Sequence, residues 1–181
     1  MFKIMYRITE DVQYINSLDK ETFDKESDFE GFFAMDFNGN LYGHYHENPL
    51  GEYEKGWALI TNWFTSLLKA YLALESLGYV AVSDIESYNT WIELKVGSQV
   101  LIASIIEAEK EDGMNEIRTE PFESYNYGEW YNIPINLKDF KNELVERASQ
   151  YLGEIAKVNP ILLESRRLEN LNKLIFKVKD N

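Results

Sequence analysis

The most apolar stretch of the chain, Trp57 to Leu77, is interrupted by Thr61, Asn62, Ser66, Lys69 and Glu75. Those interruptions rule out a membrane span, which needs about 20 predominantly apolar residues. What remains is a helical stripe: Ile60, Trp63, Phe64, Leu67, Leu68, Tyr71 and Leu74 recur at threes and fours. The spacing predicts one long helix over residues 56–77, stopped where Gly78 can take a left-handed conformation. A helix this apolar has to be covered, so the rest of the chain must supply a sheet for it to lie across.

The flanking sequence supplies strands. Phe2 to Ile8 alternates, and Phe32–Phe37 and Leu41–His46 flank Asn38-Gly39-Asn40. Asn-Gly favours the positive φ angles of a type I′ turn, which makes this the clearest hairpin. Residues 9–30 are acidic, and Val12, Ile15, Leu18 and Phe23 suit a short amphipathic helix or a clasping loop. Beyond Gly78, Tyr79–Ile85, Asn89–Val96 and Gln99–Glu107 read as strands. The nearly unbroken apolar run Val100–Ile106 suits a central position, and Ile117–Ser124 is a further candidate strand. Asn136 is placed to cap a helix with the stripe Phe140, Leu144, Ala148, Tyr151, Leu152 and Ile155, ended by Asn159-Pro160. A last helix is expected from about Pro160 to Phe176. The pattern predicts a single α+β domain over residues 1–181: a mostly antiparallel sheet packed against one long central helix, with a C-terminal helical pair over 136–181.

Charge narrows the function classes. The net charge is -13 over 181 residues. From Lys138 onward nine Lys/Arg meet seven Asp/Glu, so the excess, about -15, falls on residues 1–137. That distribution argues against nucleic acid or anionic lipid as partners, since both need clustered Lys and Arg. It fits either a surface for a basic partner or a device for solubility. Absence of cysteine removes disulfides, thiolate metal sites and cysteine nucleophiles, and fits a reducing, cytoplasmic setting. The N-terminus shows no small-residue cleavage site of a secretory signal.

Motifs for catalysis are missing: no Gly-x-Ser-x-Gly elbow, no P-loop, no dinucleotide fingerprint. Carboxylates are too abundant for a catalytic pair to stand out, and Asp112–Glu116 lacks the alternating ligands of a calcium loop. The expectation is therefore a non-enzyme without cofactor or metal. The histidines, His44 and His46, are spaced to share a strand face with Tyr42, and Glu47 follows closely. Two imidazoles and a carboxylate can hold zinc or iron, so a metal-dependent enzyme or binding protein is the alternative.

More of the signal lies between Glu107 and Tyr131, where aromatic and acidic residues interleave. Tyr and Trp are effective interface anchors, and surrounding carboxylates steer a basic partner towards them. The expected partner-binding residues are Glu107, Glu109, Glu111, Asp112, Glu120, Glu123, Tyr125, Tyr127, Glu129 and Trp130. Equally, Phe122, Tyr125, Tyr127, Trp130 and Tyr131 can close the core between sheet and C-terminal helices, or divide between both tasks.

Trp130-Tyr-Asn-Ile-Pro-Ile135, Phe140, Leu144, Tyr151-Leu-Gly-Glu-Ile155, Asn159-Pro160 and Leu163 together resemble a C-terminal pattern in immunity proteins of the contact-dependent or polymorphic toxin type. The likeness covers about the last quarter of the chain and transfers no site residue. It implies a small, acidic, cytoplasmic, non-catalytic bacterial antitoxin that blocks a cognate secreted toxin domain, often a basic nuclease. An adaptor with an unrelated protein partner shares the same sequence features.

Overall fold

A computed structural model describes residues 1–26, 28–52, 54–98, 100–110 and 116–181. In chain order the elements are β1 (Phe2–Ile8), α1 (Val12–Ser17), α2 (Lys20–Glu26), β2 (Glu30–Phe37), β3 (Asn40–His44), β4 (Ala58–Leu59), α3 (Ile60–Leu77), β5 (Tyr79–Ser83), β6 (Thr90–Gly97), β7 (Val100–Glu107), β8 (Ile117–Arg118), β9 (Asn126–Tyr127), β10 (Ile133–Asn136), α4 (Leu137–Val158) and α5 (Arg166–Asp180). A 3₁₀ turn, Pro160–Glu164, links the last two helices. The class is α+β, and every strand pair among the described residues is antiparallel. The strands form two sheets where the sequence pattern suggested one. The first has the order β1-β2-β3, with β4 also on β2; the second runs β10-β7-β6-β5-β8, with β9 on β7.

Both sheets and the C-terminal helices share α3. Phe33, Met35 and Phe37 of β2, Val80 and Val82 of β5, and Ile92 and Leu94 of β6 are buried with Phe64, Leu67, Leu68 and Leu74. The C-terminal pair closes the same core: Phe140 meets Phe2 at 4.7 Å, and Tyr151 meets Phe64 at 5.3 Å. The Tyr151 hydroxyl and Thr61 Oγ1, 2.7 Å apart, satisfy one another inside it. No described helix is long and apolar enough to cross a membrane.

Local chemistry explains the boundaries. Asn38 and Gly39 both take positive φ, 55° and 92°, as a type I′ turn requires. The central helix starts at Ile60, four residues later than the pattern suggested, because Ala58 and Leu59 pair with Gly31 and Glu30. Its N-terminus has no cap of its own; the buried Asp28 supplies one, accepting from the Thr61 and Asn62 amides at 2.9 and 2.8 Å. Asn136 caps α4 as expected, accepting from the Lys138 and Asp139 amides. The last helix begins only after Ser165, and the half-buried Asp24 carboxylate accepts from the Arg166 and Arg167 amides. On the outer flank of β1, the Ile4 amide donates to Glu143 of α4 at 2.9 Å, and Arg147 holds the same carboxylate oxygen.

The outward face of the second sheet is also covered. Tyr79, Ala81, Trp91, Ile106 and Ala108 form a small separate core under Phe122 and Tyr125. The segment after β8 is thus pinned to the sheet, where a longer strand over Ile117–Ser124 was expected.

Candidate functional site

The acidic-aromatic segment divides between core and surface. Trp130 is an interior residue, 8% exposed; it packs on Phe37 at 5.1 Å, and its indole N–H donates to the Leu41 carbonyl at 3.1 Å. This corrects its expected role as a partner anchor, because the ring bolts the two sheets together. Phe122 likewise faces inward, against Trp91 at 5.0 Å, with the Arg118 guanidinium 4.5 Å above it.

The tyrosines go the other way. Asn126 and Tyr127 pair with Glu107 and Ile106, and Gly128 donates to the Ile105 carbonyl at 2.8 Å, which fixes the loop on the sheet edge. On that rigid base Tyr127 stacks on Tyr131 at 4.7 Å, while Tyr125 meets Tyr127 edge-on at 5.4 Å. Tyr127 and Tyr131 are 42% and 54% exposed, so the stack presents apolar area to solvent. The Tyr125 hydroxyl is pushed up to about 12, first by its hydrogen bond with Tyr127 and then by burial. Glu107, Glu109, Glu120, Glu123 and Glu129 are exposed, and among the described residues none of them forms an ion pair. Glu111 and Asp112 lie outside the described residues.

The two histidines share a face, their rings 5.6 Å apart, but Tyr42 does not join them as strand alternation predicts. Gly43 sits at φ 89°, and a Cβ there would lie 2.2 Å from the Phe33 carbonyl oxygen. This kink sends Tyr42 towards Trp63, at 6.2 Å, whereas His44 and His46 both pack on Phe32, at 5.3 and 4.6 Å. His46 Nε2 is 2.7 Å from Glu54, and Glu47 turns to the Tyr45 hydroxyl. Among the described residues no three His, Asp or Glu side chains converge as a metal site.

A feature that no local pattern announced lies beside them. β3 and β4 both pair with β2 on the same flank, β3 ending opposite Phe33 and β4 opposite Gly31. The break between them opens a cavity of about 560 Å³. Phe32, Phe33, Tyr42, Trp57 and Trp63 give it aromatic walls, and Glu54, Asp84 and Glu86 give it carboxylates. Asp84 is held by the Tyr42 hydroxyl and accepts from the Glu86 amide, and Lys110 ties down the Asp84 and Ser87 carbonyls. One Glu86 oxygen accepts from the Leu59 amide at 3.1 Å. Burial pushes the Glu86 carboxyl above its ordinary range, with Asp84 and Glu30 adding repulsion, against the lowering pull of the Leu59 amide.

Comparison with protein-family models, with curated proteins and with solved structures gives no match.

Proposed function

We propose that the chain is a protein-binding inhibitor of the immunity type, which covers the active site of a basic toxin domain, a nuclease being the best fit. The reading is carried by the tyrosine cluster Tyr125, Tyr127 and Tyr131, set on a fixed sheet edge in a segment whose exposed carboxylates, Glu107, Glu109, Glu120, Glu123 and Glu129, form no ion pair among the described residues. Stacked tyrosines bury large area at low entropic cost, and unpaired carboxylates lose little on meeting Lys or Arg. Spaced glutamates also mimic the phosphates that a nuclease cleft attracts. The C-terminal likeness and the excess charge on residues 1–137 support the same reading.

Co-expression with a candidate toxin domain from a neighbouring gene is the test. Cells making both proteins survive, whereas those making toxin alone do not; equal killing overturns the proposal. The double variant Tyr127→Ser, Tyr131→Ser keeps its fold, because both rings are outside the core, and weakens binding about 100-fold, given roughly 1–2 kcal/mol for each interface aromatic.

A further inference from the structure

We infer that the cavity between β3 and β4 is a binding site for an organic cation, an alkylammonium or guanidinium head group. It shares no residue with the tyrosine stack and does not depend on the inhibitor reading.

Three observations carry it. The walls are aromatic: Phe33 and Trp63 stack at 5.5 Å, Tyr42 stands edge-on to Trp63, and Phe32 is part of the lining. Ring faces attract a cation electrostatically, more strongly when it leaves bulk water. Next, the charge in the lining is negative. Glu54, Asp84 and Glu86 stand against Lys55, a balance of about -2. These carboxylates are not equally free: Glu54 is engaged by His46 and the Gly51 amide, and Asp84 by Tyr42 and the Glu86 amide. Glu86 keeps one oxygen without a partner among the described residues, which makes it the acceptor for an N–H donor. Finally, Trp57 at the cavity is 75% exposed, a large indole that the free protein leaves in water. Closing over an occupant would bury that indole and gain free energy from it.

The chemistry excludes the neighbouring ligand classes. An anion meets three carboxylates. A bare metal ion finds no converging set of three ligands among the described residues. A neutral apolar molecule leaves Glu86 desolvated and unpaired, which is costly. An organic cation satisfies both walls and acid, and the cavity volume falls within the range of small-ligand pockets, about 300–1,000 Å³.

The test is titration of the whole protein with n-butylguanidinium, n-butylammonium and n-butanol, following the indole N–H signals by NMR. Saturable shifts at Trp57 and Trp63, with Trp91 and Trp130 still, are expected for the cations and not for butanol. Trp57→Ala and Glu86→Gln weaken that binding at least tenfold while the circular dichroism spectrum is unchanged. The glutamine retains an acceptor for the Leu59 amide, so the fold survives the loss of charge. Tyr127→Ser leaves the affinity as it was. A blocked Gly-Arg-Gly peptide separates the sources: tighter binding than free butylguanidinium points to a protein side chain, weaker binding to a free small molecule. Shifts that fail to saturate, equal binding of butanol, or full affinity in both cavity variants overturns the proposal.

Discussion

At the scale of single residues, Glu10 shows how far burial can move a titration. Its half-buried carboxyl is pushed up to about 7, mainly by desolvation, with the Glu30 and Asp28 charges adding and the Glu30 amide and Lys55 opposing. A carboxyl raised in the folded state binds its proton more tightly there than in the unfolded chain. Its stabilising contribution is therefore complete below the ordinary pKa, near 4.5, and is lost as pH rises through 7. Glu10→Gln should gain on the native chain between pH 5 and pH 8, by about 1 kcal/mol after allowance for solvent screening. Urea unfolding at the two pH values measures the difference, and an equal effect at both would show that Glu10 does not titrate in this window. Gly43 works by geometry where Glu10 works by charge. Its positive φ turns His44 to Phe32 while Tyr42 faces Trp63, so strand alternation read from sequence wrongly joins Tyr42 to the two imidazoles.

At the scale of elements, the capping of α3 and α4 gives a direct comparison. Asp28 serves α3 from a buried position, and Asn136 serves α4 from an exposed one. Replacing Asn136 by Ala should cost about 1 kcal/mol, the usual worth of a cap. Asp28→Ala should cost about 2 kcal/mol, since the amides of Thr61 and Asn62 lose their acceptor at a buried helix end. Chemical denaturation of both variants checks the order. The same two caps mark what sequence can reveal. Asn136 stands next to its helix and was legible; three strands separate Asp28 from α3 along the chain, and only the fold brings it there. The hairpin, the helical stripes and the Gly78 stop were readable because each depends on neighbours within a few residues. The division into two sheets, the inward turn of Trp130 and the break between β3 and β4 depend on pairings across the chain. Of the expected interface, Tyr127 and most of the glutamates are exposed, whereas Tyr125 is half-buried against the second sheet. Periodicity could not separate Tyr127 from Trp130, because the segment holding them has almost no regular structure.

At the scale of the whole molecule, a net charge of -13 makes the folded state repel itself. Raising NaCl from 0.02 to 0.5 M screens that repulsion, and the melting temperature should climb by a few degrees; a fall would mean that the ion pairs outweigh it. The same screening should slow capture of a basic partner at least tenfold, with dissociation little changed, as stopped-flow kinetics would show. The Glu143 carboxylate on the Ile4 amide has a consequence of its own. An open strand flank is a template on which a stray chain can dock and fibrils can grow. Here a helix side chain occupies that template at mid-strand, anchored by Arg147, so β1 offers an intruding strand an interrupted ladder. Runaway polymerisation of this sheet is thereby denied its most obvious starting point.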